Sequence, residues 1–388
     1  MRIAYVINSV EGGGAASPVP AVAGVLCDHG AEVEIFALTR RDGRGLPAMQ
    51  AAGLRVHVRD GGEKDHLAAI GWLDREMARW RPDLIWTSLT RATLLGQLVG
   101  RRRRTAVVSW QHAAFLKPAN KALLRAGQGL SALWIGDSES VAALTAARLG
   151  VPAERLAVWP LFAADASAPR ARPWRLGDTL RLGALGRLHP VKGYDVLIAA
   201  LAQVKAAGFQ PFTPFEVEIA GEGAQRAALE AAVAAAGLDN VRFTGFEQRP
   251  REFLASLHAY LQPSRSEGLC IAAHEAMQAG LPVLASAVGE MPYTMLDGRT
   301  GFVLPPGDPT ALAEALIRLL SYPECLAEMG RTSRARVLER FGGEAFARAG
   351  AAVFARLPVK LGERQIPADA RRSPGPPTSD RSALRRSG

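Results

Sequence analysis

The chain has 388 residues, which is long for one ordinary domain and comfortable for two, each with its own core. Its formal net charge of +10 comes without a nucleic-acid-binding motif, which leaves an anionic membrane surface or an arginine-rich composition around an anionic substrate. The three cysteines, Cys27, Cys270 and Cys325, are far apart and lack metal-ligand spacing, so neither disulfides nor zinc is indicated and we expect packing residues.

The first part of the chain alternates short apolar runs with longer helical patterns, which is typical of a parallel sheet covered by helices. Strands are predicted at 3–7, 32–37, 55–58, 84–86, 106–109 and 133–135, and helices near 19–28, 67–80, 92–99, 121–126 and 140–149. Residues 163–178, rich in Ala, Pro and Arg, show little periodicity and form the predicted linker. The pattern predicts a doubly wound domain over residues 1–165.

A second alternating series follows the linker. Strands are predicted at 180–186, 215–220, 241–244, 259–262, 283–285 and 302–304, and helices at 194–206, 224–236, 251–257, 271–279, 309–320, 326–340 and 344–355. This predicts a second doubly wound domain over residues 177–356. The segment 357–388 is basic and contains five prolines, so we expect a disordered tail.

A glycine-rich loop and a cationic loop each follow the first strand of a domain. Glu11 is followed by three glycines, whose backbone can approach a ligand closely, but the G-x-G-x-x-G spacing of dinucleotide sites is missing; a structural turn is the alternative. In the second domain the run 186–195, GRLHPVKGYD, places Arg187 and Lys192 at the carboxyl end of a strand. Two cations there suit a diphosphate, although solvated surface side chains are the alternative.

The most informative stretch is the run 263–277, PSRSEGLCIAAHEAM, in which Glu267 and Glu275 are separated by seven residues. A strand, a loop and a helix stopped by Gly280 and Pro282 are predicted here, so the two carboxylates bracket a helix start. Free backbone amides and the positive end of the helix dipole favour a phosphate, and carboxylates accept hydrogen bonds from sugar hydroxyls. Ordinary capping and surface charge is the alternative.

These motifs resemble those of glycosyltransferase family 4. The run 267–275 is similar to that family's E-x7-E element, and residues 276–283, 288–292 and 297–308 resemble its EAMAxGxPVV, GGxPE and DGxxGxLxxPxD segments. The cationic loop is similar to its GRLxxxKGxDxLIxA pattern. The resemblance implies the α/β fold called GT-B, with two doubly wound parallel-sheet (Rossmann-like) domains facing a central cleft, and a terminal helix, 344–355, that crosses back to the first domain.

The resemblance also implies roles for residues of the second domain. Arg187 and Lys192 would hold the pyrophosphate of the donor and neutralise charge on the leaving nucleotide. Glu275 would bind the ribose hydroxyls, and Glu267 the hydroxyls of the transferred sugar. The backbone amides of Leu269, Cys270 and Ile271 would face phosphate or sugar, and Glu222, in a segment similar to GxGxxxxxLE, would line the nucleobase side.

In the first domain the resemblance implies that Gly13 and Gly14 lie over donor and acceptor. His112 closes a strand at its carboxyl end, where open α/β sheets place ligands, and the resemblance implies contact with the donor sugar; an ordinary loop histidine is the alternative. Three residues depart from the pattern: Glu290 stands where a glycine is usual, Tyr293 where a glutamate is expected, and Cys270 where glycine is common. These changes crowd a phosphate loop or mark a different donor or acceptor.

The implied activity is that of an EC 2.4 hexosyltransferase that moves a sugar, with retention of configuration, from a nucleoside diphosphate sugar to a hydroxyl acceptor. We expect a saccharide or lipid-linked saccharide acceptor in envelope, lipopolysaccharide or exopolysaccharide synthesis, and no metal or cofactor. The alternatives are a non-catalytic subunit that binds sugar nucleotides or acts as a scaffold, and a sugar-nucleotide epimerase.

Localisation is predicted from the absence of a long apolar run. No run of about 18 apolar residues is present, and the strand-like start of the chain is unlike an export signal, so we expect a cytoplasmic protein. The basic run 101–104 is explained by a solvated helix end or by peripheral contact with the anionic inner membrane face.

Overall fold

The N-terminal half forms a seven-stranded parallel sheet in the computed structural model, which describes residues 1–12, 16–112 and 116–358. Its strands are β1 Arg2–Ile7, β2 Glu32–Ala37, β3 Arg55–Val58, β4 Leu84–Ser88, β5 Ala106–Gln111, β6 Leu133–Gly136 and β7 Leu156–Val158. Its helices are α1 Val19–Asp28, α2 Leu46–Ala51, α3 His66–Trp80, α4 Thr90–Arg103, α5 Pro118–Ala126 and α6 Glu139–Leu149. The strands read as continuous apolar runs because helices cover both faces of the sheet.

The second half repeats this plan with a six-stranded parallel sheet. Its strands are β8 Leu180–Leu185, β9 Phe215–Ala220, β10 Val241–Gly245, β11 Ala259–Gln262, β12 Val283–Ser286 and β13 Gly301–Leu304. Its helices are α7 Tyr194–Ala206, α8 Arg226–Ala235, α9 Pro250–Ala255, α10 Ile271–Ala279, α11 Met291–Thr294, α12 Pro309–Ser321, α13 Leu326–Phe341 and α14 Gly343–Phe354.

Both sheets have a strand order that reverses once, as in other doubly wound sheets. The orders are β3-β2-β1-β4-β5-β6-β7 and β10-β9-β8-β11-β12-β13, so each sheet reverses direction between its first and fourth strands. In such sheets ligands bind outside the carboxyl ends of the strands near that reversal. The expectation of two doubly wound parallel-sheet domains is confirmed.

The last helix lies against the first domain. Gly350 of α14 packs so closely on Trp159 and Val25 that an added Cβ would come within 2.5 Å and 2.6 Å of their side chains. Just beyond the helix, Arg356 donates hydrogen bonds to the backbone carbonyls of Leu156 and Glu154 at 2.6 Å and 2.8 Å. Residues 1–358 therefore form one compact unit in which the chain ends against the domain where it began.

Some sequence expectations were wrong or lie outside the described residues. Cys27 and Cys325 are exposed, so only Cys270 is a packing residue. The short elements α2, β7 and α11 were not predicted, because three to six residues are too few to show a periodic pattern. The tail beyond residue 358 lies outside the described residues.

Candidate functional site

The carboxylate of Glu267 is held by three donors from its own domain. Its Oε1 accepts hydrogen bonds from Lys192 Nζ at 2.7 Å, Ser264 Oγ at 2.6 Å and Gln262 Nε2 at 2.8 Å. The side chains of Lys192 and Glu267 are 20% and 13% exposed, so the ion pair is mostly withdrawn from water but still reachable. Because all three bonds converge on one oxygen, Oε2 is left to meet a ligand.

Close backbone packing brings the cationic loop to Glu267. Gly193, which follows Lys192, has φ +67°, and an added Cβ would overlap the carbonyl oxygen of Pro263. Only glycine combines this left-handed conformation with so close an approach. Arg265, two residues after Pro263, donates two hydrogen bonds of 2.7 Å and 2.6 Å to the carboxylate of Asp195, two residues after Gly193, and so joins the same two segments. The Lys192–Glu267 pair is therefore a product of the fold rather than a chance surface contact.

Arg187 and Glu222 lie at the open edge of the site. Both side chains are exposed, and in the part of the chain that the structure describes no carboxylate pairs with Arg187. The loops that carry them meet through the backbone, since the Leu188 amide donates to the Glu222 carbonyl at 2.9 Å. The structure thus places both residues at the carboxyl ends of neighbouring strands, β8 and β9, but brings neither side chain into contact with Glu267 or Glu275.

The N-terminus of α10 presents backbone amides beside Glu267. The helix begins at Ile271, and Cys270 precedes it with φ +63°. Glycine adopts this left-handed conformation more readily than any other residue, which explains why glycine is common at this position in the family. The first amides of a helix have no intrahelical acceptor, and the helix dipole makes this end positive. Leu269 and Cys270 are buried beneath the loop and Ile271 is half-buried, so what this segment can offer a ligand is its backbone.

Glu275 lies on the same helix in a partly buried position. Burial raises the pKa of its carboxyl, and the nearby Arg251 acts in the opposite direction. His274, its neighbour, is fully buried; it contacts the carbonyl of Cys270 at 3.0 Å and Thr294 Oγ1 at 3.1 Å. His274 is thus a packing residue, whereas Glu275 is partly exposed and forms no hydrogen bond or ion pair within the described part of the chain.

His112 of the first domain lies next to Gly268, the residue that follows Glu267. Its Nε2 is 2.6 Å from Ser88 Oγ, while its Nδ1 has no hydrogen-bond partner and lies 3.8 Å from Asp137 Oδ2. Burial lowers the pKa of His112 to about 3, so the imidazole is neutral at neutral pH. The His112 carbonyl oxygen packs against Gly268, where an added Cβ would overlap it. The two domains therefore meet at the residue that follows Glu267.

Two further carboxyls, Asp137 and Glu290, are buried at this meeting point. Glu290 Oε1 accepts a hydrogen bond from Arg340 at 2.8 Å, and burial raises the pKa of Glu290. Burial and the neighbouring Glu290 also raise the pKa of Asp137. Sequence reasoning noticed Glu290 only as a departure from a pattern and missed Asp137, although Asp137 follows β6 at its carboxyl end, the same signal that identified His112.

The three remaining positions named from the sequence are Gly13, Gly14 and Tyr293. Gly13 and Gly14 lie outside the described residues. Their neighbour Gly12 donates its amide to Asp42 Oδ1 at 2.9 Å. Tyr293 is 55% exposed, and its carbonyl accepts a hydrogen bond from Arg340 at 2.7 Å, so its ring points away from the protein interior.

Family models match both halves of the chain. Residues 12–163 match "Glycosyltransferase Family 4" and residues 179–322 match "Glycosyl transferases group 1". Each match covers one of the two sheet domains, and the second includes Lys192, Glu267 and Glu275. The fold is that of GT-B glycosyltransferases, and the chain belongs to the group 1, family 4 type.

Curated relatives are similar over part of their length. The chain is 35% identical to the D-inositol 3-phosphate glycosyltransferase of Streptomyces avermitilis over 48% of this chain and 42% of that protein. It is 34% identical to glycogen synthase of Mycobacterium tuberculosis over 58% and 51%, and 34% identical to the D-rhamnosyltransferase WbpZ of Pseudomonas aeruginosa over 44% of each. The chain thus spans about half the length of the curated relatives it matches.

Solved structures share the fold at lower identity. Anabaena HepE in complex with UDP-glucose matches with a TM-score of 0.79 and 22% identity over 92% of this chain and 100% of that one. Sucrose-phosphate synthase from Thermosynechococcus elongatus matches with a TM-score of 0.74 and 21% identity over 92% and 98%. These likenesses establish the architecture of the two domains.

Proposed function

We propose that the protein is a retaining glycosyltransferase that takes its sugar from a nucleoside diphosphate donor. The observation that carries this proposal is the Lys192–Glu267 pair at the N-terminus of α10, with neutral His112 of the first domain packed against the adjacent Gly268. A cation, a ring of backbone amides and a carboxylate with one free oxygen suit a diphosphate joined to a hydroxyl-rich sugar. The curated relatives, all named as transferases or a synthase, support the same activity.

In this proposal each part of the donor, the diphosphate, the ribose, the sugar and the base, is bound by different residues of the site. The α10 amides and the cations Lys192 and Arg187 bind the diphosphate and stabilise the charge that develops on the leaving nucleotide. Glu275 accepts hydrogen bonds from the ribose, and Glu267 Oε2 accepts one from the transferred sugar. Glu222, at the open edge, belongs to the nucleobase side. UDP-glucose is the first donor to test, because a solved relative of the same fold is complexed with it.

Catalysis then rests on positioning and charge stabilisation. Glu267 is fixed by three hydrogen bonds, which orients it as a sugar ligand rather than as a mobile nucleophile. His112 stays neutral through the working pH range, so it contributes a hydrogen bond and not a charge at the reacting centre. The acceptor hydroxyl attacks from the face that the diphosphate leaves, which gives retention without a metal or a cofactor.

The acceptor is a saccharide or a lipid-linked saccharide. The first domain carries a basic surface formed by exposed side chains of α4 and α5 and their flanks: Arg101, Arg102, Lys117, Lys121 and Arg125. Leu98 and Leu123 on the same two helices are also exposed, and basic and apolar side chains exposed together are the composition expected for peripheral contact with anionic lipid. None of the helices described in the structure is long and apolar enough to cross a membrane.

Product analysis tests the proposal. Purified protein is incubated with UDP-glucose and other nucleoside diphosphate sugars, with and without saccharide acceptors, and nucleoside diphosphate release and product anomer are followed by NMR. Transfer or slow hydrolysis with the donor's anomeric configuration supports a retaining transferase. An epimerised sugar nucleotide would instead identify an epimerase, and binding without any turnover would identify a scaffold subunit.

A further inference from the structure

Ser88 is the last residue of β4 and contacts His112. Its side chain is fully buried, and its Oγ lies 2.6 Å from His112 Nε2. The order Ser88, His112, Asp137 is that of a catalytic triad, but the 3.8 Å between His112 Nδ1 and Asp137 Oδ2 is too long for a hydrogen bond. A fully buried hydroxyl is also out of reach of a substrate. Ser88 therefore acts on His112 and not on the substrate.

Leu89, the single residue between β4 and α4, has a strained backbone. Its φ of +76° and ψ of 160° lie in a region that residues other than glycine almost never adopt. The Leu89 amide donates to the carbonyl of Trp110 on β5 at 3.4 Å. In the first turn of α4, the Ala92 amide donates to Asn8 Oδ1 at 2.8 Å. Such strain persists where surrounding contacts fix it, so the turn holds Ser88 in one place.

Two aromatic side chains lie behind Ser88. Tyr5 and Trp86 occupy paired positions of β1 and β4, are fully buried, and have ring centroids 6.1 Å apart. Burial raises the pKa of the Tyr5 hydroxyl, and the nearby Ser88 and Trp86 act in the opposite direction. Neither Tyr5 Oη nor Trp86 Nε1 has a hydrogen bond of normal geometry within the described residues. Because buried polar groups are nearly always paired, we expect a hydrogen-bonded row through Trp86, Tyr5 and Ser88.

The donors and acceptors of this row give it one direction. An indole nitrogen can only donate, so Trp86 donates to the Tyr5 oxygen. Tyr5 then donates to Ser88, and Ser88 donates to His112 Nε2, which leaves the proton of the neutral imidazole on Nδ1. In the opposite direction the Tyr5 oxygen would accept from both Trp86 and Ser88, and its own hydrogen would lack an acceptor.

We propose that Ser88 is a positioning residue that holds His112 as the Nδ1–H tautomer, an inference that rests on the transferase function proposed above. With Nε2 bonded to Ser88, a flip of the ring would break that bond, so Nδ1–H is the group that His112 offers to a ligand. This tautomer has no free lone pair. His112 therefore orients an oxygen of the sugar nucleotide that accepts a hydrogen bond.

The tautomer can be measured in the ligand-free protein. Long-range proton–nitrogen NMR on protein with isotopically labelled histidines distinguishes protonated from unprotonated ring nitrogens, and the His112 signals are those missing from His112→Gln. We expect a protonated Nδ1 and an unprotonated Nε2 in the wild type, and loss of this preference in Ser88→Ala. A protonated Nε2 in the wild type, or an unchanged tautomer in Ser88→Ala, overturns the proposal.

Kinetics separate positioning from stability. With UDP-glucose, Ser88→Ala should lower kcat by about tenfold or more, while the Kd for UDP stays unchanged because the second domain binds the nucleotide. The matched control is Ser109→Ala. Ser109 is also fully buried, but its hydroxyl contacts Thr87 and Ser131 at 2.9 Å and 2.7 Å instead of His112. The control should lose stability and keep its kcat. An equal loss of kcat in both variants overturns the proposal.

A second variant keeps the hydroxyl and relaxes the turn. Leu89→Gly should weaken the tautomer preference and lower kcat, whereas Arg81→Gly, at φ +50° after α3, should change neither. Wild-type tautomer and kcat in Leu89→Gly refute the role of the turn. A protonated Nε2 in a wild type that transfers sugar refutes Ser88 positioning alone. Absence of transfer by a wild type with the Nδ1–H tautomer refutes the transferase proposal, and the catalytic use of this contact with it.

Discussion

Replacing Lys192 with alanine should separate catalysis from folding. The change removes the ammonium group from Glu267 Oε1 but leaves the donors Ser264 and Gln262 at 2.6 Å and 2.8 Å, so Glu267 is not orphaned. Breaking a fully buried pair costs about 3–5 kcal/mol; with 20% and 13% exposure and two donors remaining, we expect a loss of about 1–2 kcal/mol in unfolding free energy.

The expected effect on turnover is much larger. If Lys192 stabilises the leaving diphosphate, its loss should lower the transfer rate by about 10²–10³, the range measured when one preorganised donor is removed from a charge-stabilising site. Nucleoside diphosphate release with UDP-glucose gives the rate, and a urea titration gives the stability. The matched control is Lys205→Ala: Lys205 is exposed, and its Nζ donates to the Gly237 carbonyl at 2.5 Å, away from the site.

Two outcomes would contradict this role of Lys192. If Lys192→Ala folds normally, binds the donor nucleotide normally and keeps the full transfer rate, Lys192 has no role in charge stabilisation. If Lys205→Ala loses as much rate as Lys192→Ala, the effect comes from general basic charge rather than from the position beside Glu267.

Four further predictions concern backbone contacts and ionisation. Gly193→Ala should destabilise far more than Gly208→Ala, because both glycines have φ near +66° (+67° and +65°) but only Gly193 would meet a carbonyl; equal urea midpoints would contradict this. Gly268→Ala should open the cleft, with a larger radius of gyration in X-ray scattering and lower activity, whereas Gly343→Ala, with open space around it, should not; unchanged scattering and activity would contradict it. The raised pKa of Asp137 makes the folded state retain a proton that the unfolded chain releases, so the contribution of Asp137 to the unfolding free energy falls as pH rises above about 4 towards its folded-state pKa. The stability of Asp137→Asn relative to wild type should grow over that range by at most ~1.4 kcal/mol per pH unit, and a pH-independent difference in urea titrations argues against it. Cys270→Gly should be about 1 kcal/mol more stable than Cys270→Ala, since alanine keeps the left-handed strain at φ +63°, and the reverse order in thermal melts would show that no such strain exists.

The sequence predicted the fold well where patterns were long. The alternation of apolar strands and helices predicted two doubly wound sheets, and the structure and the family matches confirm that architecture and the family. Short elements such as β7 and α2 were not predicted, because so few residues show no periodic pattern and their conformation depends on contacts with neighbouring elements.

Part of the candidate site could be predicted because functional side chains of a parallel sheet lie near the carboxyl ends of its strands. Arg187, Lys192 and His112 were chosen as residues near the carboxyl ends of strands, and Glu267 as a residue just before a helix start; the structure has them at these positions. The direct bond between Lys192 and Glu267 was not predicted, since it depends on how closely Gly193 approaches Pro263 across 70 residues of sequence. Asp137 was not predicted for a related reason. Its neighbour Glu290 belongs to the other domain, so the two carboxyls come together only in the folded chain.

We expect the cleft between Lys192, Glu267 and His112 to bind a nucleoside diphosphate sugar. Calorimetric titration of the purified protein with UDP, GDP and ADP and with their glucose conjugates measures this binding. At least one nucleotide and its conjugate should bind, and Glu275→Gln, which weakens the ribose contact, should reduce the affinity of both by about the same factor. Absence of binding by all six ligands to the folded protein would contradict the claim.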